Sequence, residues 1–480
     1  MSLTSHISLY LAPSIVRGVI TLGVIVPLIT SYLDAADFGV AALITSVIAV
    51  IASFSSISPG WIIGATYYNV ENSEYKKIVF TCAVIEMFLR IIMTILAVLL
   101  VSHFLPHILK PLEEIYYLYF YIALIAFCAD SFWPLILSML VIEKKAKLFS
   151  GVEFIRIFIN LLAVICVLTF MDTKQFVFYL PLAITALIIM LISFYILRSR
   201  ITVCFDIKLF KRVLRIGAPS IPGGVSEVLT KSTDNFAVQW YGGGLSQVGL
   251  YSHSKTYGGI FLMVTKSLFK VLRSEILKVF SNNSKTDQLQ NVISNWIYIL
   301  SIPGIGLGLV IEPVVDFLTN GKLVDASSLI IFWYEGMLMT FFGYVFTQYL
   351  ISKELTSVIM WIQIFTNIFS LILLFVGGLL FGIYGVASAA IIGIFINQIA
   401  RSIISHRRGC KVRLLRPLLI SLTIVAFVSW LIEIIDPNLL IRSLLFIIMV
   451  LFAIIMFKKI IPESEDFSKL SFKFRHGQPK

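Results

Sequence analysis

Tyr32-Leu-Asp-Ala-Ala-Asp-Phe-Gly39 is a short polar turn between two long apolar runs, and Tyr241-Gly-Gly-Gly-Leu-Ser-Gln-Val-Gly249 repeats its position 209 to 210 residues later. Two further pairs keep nearly the same offset. Ile142-Glu-Lys144 matches Ile351-Ser-Lys353 at 209, and Ile155-Arg-Ile-Phe-Ile-Asn160 matches Ile362-Gln-Ile-Phe-Thr-Asn367 at 207. All three run in chain order and fall at equivalent apolar segments, which predicts a duplicated lobe. The repeat spans six segments, an even number, so both copies enter the membrane in the same direction.

The composition sets the class. Of 480 residues, 59% are hydrophobic and only 13% charged, and the mean hydropathy is +0.95. Such a chain reads as an all-α polytopic membrane protein, because only helices satisfy the backbone repeatedly inside a bilayer. Runs near 20 residues long suffice to cross about 30 Å of hydrocarbon. They predict fourteen spans, at 8–31, 39–66, 77–103, 114–140, 148–170, 175–197, 213–240, 246–277, 289–318, 326–350, 356–381, 383–404, 417–434 and 439–457. The domains expected are an N-terminal lobe over 1–205, a C-terminal lobe over 206–405, and two added spans with a basic tail over 406–480. No stretch is long and polar enough for an attached ATPase. The opening MSLTSHISLY lacks a basic start and a cleavage site, so the first span is expected to be retained.

Lys and Arg collect on the cytoplasmic side of membrane proteins. With both termini cytoplasmic, 26 of the 38 cations fall in loops on that side and four on the other, Lys110, Lys174, Lys322 and Arg442. The net charge of +12 is thereby explained by topology and anionic headgroups, without nucleic acid. The five cysteines are too scattered to suggest a disulfide framework or a metal site, and no cofactor motif is present.

Eight cations remain inside the spans: Arg17, Arg90, Arg156, Lys231, Lys255, Lys266, Lys270 and Arg273. A charge at the bilayer centre costs roughly 2.5 to 3.5 kcal/mol, so such residues face a protein interior or an aqueous path and mark a route for an anion. At about 100° per residue, Lys266, Lys270 and Arg273 lie within about 60° of Lys255, making one stripe roughly 27 Å long. Ammonium and guanidinium groups along it could replace the water lost by a diphosphate. Lys270 and Arg273 are also placed to snorkel to headgroups. Other cations have acids one turn away: Arg90 has Glu86, Arg156 has Glu153, and Lys231 sits between Glu227 and Asp234. These pairs read either as structural or as switches in which an acid takes up a proton and frees its cation. Asp130 and Glu335 have no local partner and are the other candidates for ion coupling, whereas Glu312, near a span end, reads as solvated. Arg17 has no acid within a turn. The seven tryptophans, Trp61, Trp133, Trp240, Trp296, Trp333, Trp361 and Trp430, could stack on sugars but equally suit the membrane interface.

The run from Arg17-Gly18 through Pro27, followed by Tyr32-Leu33-Asp34-Ala35-Ala36-Asp37-Phe38-Gly39-Val40-Ala41-Ala42-Leu43, resembles the opening of Wzx O-antigen flippases and related polysaccharide exporters. Val248-Gly249-Leu250-Tyr251-Ser252 resembles the corresponding second-lobe segment. These proteins belong to the multidrug, oligosaccharidyl-lipid and polysaccharide exporter superfamily, and the resemblance covers spans 1 to 12. It implies two six-helix lobes in a V around a central cavity, a bacterial inner-membrane location, and transport of an undecaprenyl-pyrophosphate-linked oligosaccharide to the periplasmic leaflet. It places Arg17 beside the cavity and implies membrane lipids, a polysaccharide polymerase and a chain-length regulator as partners. Two other functions compete. A multidrug exporter of the same fold would be expected to line its cavity with acids and aromatics, against eight buried cations. A membrane polymerase or glycosyltransferase would be expected to carry a large external loop, whereas Asp172-Thr173-Lys174 and Gly242-Gly243-Gly244 are short.

Overall fold

The computed structural model describes residues 3–67, 70–108, 115–143, 145–204, 206–218, 220–282, 286–353, 355–435, 441, 442, 444–449, 451 and 455. Every regular element among them is helical. Among the described residues eight stretches are long and apolar enough to cross a membrane, or nine when Thr286–Gly306 and Leu309–Thr319 count as one bent span. The protein is therefore a multi-pass membrane protein. Residues 439, 440, 443, 450, 452–454, 456 and 457 of span 14 (439–457) lie outside the described residues.

The chain divides into two compact units, one formed by Tyr32–Phe236 and the other by Met1–Ser31 with Ala237–Lys480. The unit Tyr32–Phe236 starts at the polar turn Tyr32–Gly39. There the Asp34 amide donates to Asp37 Oδ2 at 3.0 Å, capping the helix Ala35–Ser55. Span 2 is not continuous. It breaks at Ser58, whose φ of 53° is left-handed, and restarts at Pro59 as Pro59–Thr66. Span 4 breaks as well: Ile115–Ala129 passes through a 3₁₀ turn at Asp130–Phe132 into Trp133–Ile142, because Pro134 has no amide to give the Asp130 carbonyl. Asn72–Ile108, Ala146–Phe170 and Leu180–Leu197 complete the apolar set.

Span 7 needs correction at its start. Residues 213–217 belong to a separate helix, Ile207–Gly217, capped where Asp206 Oδ1 accepts from the Lys208 amide at 2.7 Å. Leu209, Val213 and Gly217 are buried on one face and its cations lie on the other. The span itself is Ser220–Tyr241. With Glu227, Lys231 and Asp234 in one window it is long enough to cross a membrane but too charged to stand among the eight.

In the second unit, α1, Leu3–Ile20, is followed by a π-helical turn, Thr21–Ile25, and by α2, Val26–Thr30, which carries Pro27 in its first turn. Then come α3, Leu245–Asn282, α4, Thr286–Thr319, α5, Ser327–Ser352, α6, Thr356–Arg407, and α7, Leu415–Ile435. The helix α5 is buried on nearly every side by α3, α4, α6 and α7, and Tyr334, Phe341, Phe342 and Phe346 fill the core around it. A helix apolar all round takes this central place. Spans 11 and 12 are the two arms of α6, which reverses at Gly382 with φ 58° and ψ −137°, a conformation open to glycine.

The three repeated sequence pairs occupy equivalent places. Tyr32–Gly39 and Tyr241–Gly249 are both turns entering a helix, Ile142 and Ile351 both lie in the last turn of one, and Ile155–Asn160 and Ile362–Asn367 both lie within one.

Candidate functional site

Two clusters of polar side chains stand out, one in each unit. The unit holding α3 brings together the helices of Arg17, Lys255, Lys266 and Glu335. Arg17 is half-buried, one turn before the π-helical segment, and α1 packs along α3. Lys255 lies with its Nζ 5.1 Å from the Tyr251 ring centroid and 5.5 Å from that of Trp333. Both faces are within cation–π range, which partly replaces water around the ammonium. Trp333 is fixed in turn, its Nε1 donating to Ser254 Oγ at 2.9 Å. The close approach of α5 depends on Gly258, where a Cβ would sit 2.3 Å from the Trp333 Cβ. Glu335, two residues on, is half-buried, and Lys266 is exposed. The side chains of Lys270 and Arg273 lie outside the described residues.

The aromatic pair around Lys255 escaped the sequence reading. Tyr251 stands at i−4 and could have been found by helical spacing, but Trp333 comes from another helix. His253, buried and edge-on to Tyr257 at 4.9 Å, was also missed.

In the unit Tyr32–Phe236, Glu86, Arg90, Asp130 and Arg156 are gathered at the two helix breaks. Glu86 and Arg90 are both buried, and Arg90 Nε lies 3.9 Å from Glu86 Oε2 as the spacing predicts. Glu86 Oε1 also accepts from the Ile57 amide at 2.9 Å, at the break in span 2. Arg90 donates through Nη1 to the Phe127 carbonyl at 2.8 Å, just before the break in span 4, and lies over the Phe127 ring. One ion pair thus ties two irregular backbones together.

Arg156 departs from expectation. Its Nη2 lies 3.0 Å from Asp130 Oδ1, on a neighbouring helix, and its guanidinium covers the Trp133 ring at 4.8 Å. Glu153, expected as its partner, is buried. The reason is reach: the 3₁₀ turn carries Asp130 toward Arg156, a contact that spacing along one helix cannot show. Asp130, expected to lack a partner near it in sequence, is paired from the neighbouring helix. Lys231 pairs with Glu227 as predicted, but this pair is exposed, so Lys231 is not a buried cation. Asp234 is buried beside Asn235, whose Nδ2 donates to Ser46 Oγ at 2.8 Å. Glu312 is exposed, as expected, and lies 3.2 Å from Arg442 Nη1.

Chemically, the first cluster offers an ammonium held by aromatic rings, and the second offers carboxylate–guanidinium pairs holding strained backbone. Known proteins share the arrangement of helices. The model of a family described as "polysaccharide biosynthesis protein" matches residues 29–327. No curated protein matches. Among solved structures, the lipid II flippase MurJ in an inward closed conformation is 14% identical with a TM-score of 0.68, over 94% of this chain and 99% of that one. An inward-facing multidrug resistance MATE transporter of the MOP superfamily is 14% identical with a TM-score of 0.62, over 85% and 95%. The Vibrio cholerae MATE transporter VcmN, in its bent form, is 13% identical with a TM-score of 0.55, over 88% and 98%. Because that family model covers more than half of its length and these transporters share its fold, the chain belongs to the family described as polysaccharide biosynthesis protein.

Proposed function

We propose that the protein is a flippase that moves an undecaprenyl-pyrophosphate-linked oligosaccharide, such as an O-antigen repeat unit, from the cytoplasmic to the periplasmic leaflet. The observation carrying this reading is the packing of α1 against α3, which puts the helix of Arg17 beside the helix of Lys255 and Lys266. A diphosphate suits such a face because several cations can share its oxygens, and arginine binds them bidentately. The family match and the fold support the transporter class.

Movement proceeds by alternating access of two duplicated six-helix lobes, 1–205 and 206–405, followed by the added segment 406–480. Both termini face the cytoplasm, and the membrane is the bacterial inner membrane. Coupling to an ion gradient is assigned to Glu335 and to the Asp130–Arg156 pair, with Glu86, Glu227 and Asp234 as secondary sites. Protonation of Asp130 would release Arg156, since an ion pair holds only while both charges persist. A polysaccharide polymerase and a chain-length regulator are the expected partners.

Complementation tests the reading. Arg17→Ala and Lys266→Ala should each abolish surface polysaccharide in a strain lacking the gene while leaving the amount of membrane protein unchanged. Arg17→Lys and Lys266→Arg should retain part of the activity. Full activity of both alanine variants would remove the cationic route.

A further inference from the structure

A cavity of about 410 Å³ lies in the unit Tyr32–Phe236, where the start of Asn72–Ile108 meets the exits of Trp133–Ile142 and Leu180–Leu197. Its wall is assembled from three connections that the sequence places on the Lys- and Arg-rich side. The segment after Leu197 is tied to the first of these helices by the Thr202 amide, which donates to the Lys76 carbonyl at 3.4 Å. Glu143 Oε2 lies 2.8 Å from Lys145 Nζ and 3.8 Å from Arg200 Nη2.

Two donors in this wall are unmet. Arg200 Nη1 and the Tyr75 hydroxyl are buried and have no hydrogen-bond partner among the described residues, and Tyr75 keeps only 5% of its surface exposed. Buried donors, charged ones above all, are costly to leave without an acceptor. A single water, at roughly 30 Å³, would fill little of the space. Lys76 adds a third cation to Lys145 and Arg200, against the one carboxylate of Glu143. The first turn of Asn72–Ile108 brings the positive end of a long helix to the same place.

We propose that this cavity binds a phosphate group. The surplus of cations selects an anion, the two unmet donors need oxygen acceptors, and phosphate oxygens suit guanidinium, ammonium and phenol together. Glu143 stays paired with Lys145 and orients Arg200, leaving Nη1 for the ligand. The phosphate comes either from a soluble molecule or from an anionic lipid headgroup. This site is independent of the transport reading, which uses none of these residues.

The test uses the full-length protein in neutral detergent, titrated with pyrophosphate at fixed ionic strength, and the same protein in phosphatidylcholine nanodiscs with and without phosphatidylglycerol. Saturable stabilisation against heat by pyrophosphate identifies a soluble source, and stabilisation by phosphatidylglycerol alone identifies a headgroup. In either case Arg200→Gln should weaken the response at least about tenfold, the loss expected when a charge-assisted hydrogen bond is removed. Arg200→Lys should keep part of it, and Lys353→Ala, at a cation belonging to neither site, should leave it unchanged. Should Arg200→Gln not fold, Tyr75→Phe and Lys76→Gln should each weaken binding severalfold. No response to either ligand, or full responses in these variants, overturns the site.

Discussion

Arg156 Nη2 lies 3.0 Å from Asp130 Oδ1, joining the middle of one helix to the 3₁₀ turn that interrupts its neighbour. The pair is about a quarter exposed on each side and is covered by the Trp133 ring. Pro134 creates the turn by withholding an amide, and the turn presents the carboxylate. A double-mutant cycle of Asp130→Asn and Arg156→Met, read from thermal unfolding in detergent, should give a coupling of about 1 kcal/mol. Additive single effects would remove the pair from the account.

Glu86 presents the opposite case. It is 1% exposed and serves both the Ile57 amide and Arg90. Glu86→Gln leaves the Arg90 charge buried without compensation, so a loss of about 3 kcal/mol or more is expected, visible as reduced yield and a lower unfolding temperature. Lys231→Ala breaks an exposed pair and should change stability by less than about 0.5 kcal/mol. Equal effects of the two would show that burial does not separate them.

Gly382 and Gly259 give a paired test of backbone conformation. Alanine at Gly382 would be forced to a φ of 58° and should destabilise by about 1 to 3 kcal/mol. At Gly259, inside α3, a Cβ meets nothing within 4 Å, and Gly259→Ala should stabilise by about 0.4 to 1 kcal/mol. Chemical or thermal unfolding of the two variants decides whether spans 11 and 12 turn at Gly382.

Cys410 lies beyond α6 and is buried, and burial pushes its thiol up from 9.0 to about 11. The thiolate is the reactive form, so alkylation of a variant keeping only Cys410 should still accelerate with each pH unit from 8 to about 10. A plateau near pH 9 would contradict the burial. The folded state holds this proton more tightly than the unfolded chain, so the thiol's contribution to stability is intact below about pH 9 and falls as pH rises toward 11.

Spans 1–6 and 9–12 were legible because apolar length is a local property, and the boundary set between 356–381 and 383–404 falls at Gly382, where α6 reverses. The amphipathic helix Ile207–Gly217 was not legible, because its dense cations resemble loop charges and its buried face is only Leu209, Val213 and Gly217. The breaks at Ser58 and Asp130 stayed hidden inside continuous apolar runs. Among site residues, Glu86 with Arg90 and Glu227 with Lys231 followed from spacing within one helix. Arg156 with Asp130, and Trp333 beside Lys255, join residues from different helices, which periodicity cannot bring together.

The central claim concerns the cations of α1 and α3, and reconstitution tests it most directly. Vesicles containing undecaprenyl-pyrophosphate-linked oligosaccharide on their inner leaflet should expose the glycan to an external glycosidase far faster with the protein than without it. Lys255→Gln and Arg17→Gln should each slow that exposure about tenfold or more, the scale of one lost charge-assisted contact to phosphate. Exposure at the protein-free rate, or variants that match the unaltered protein, would contradict the account.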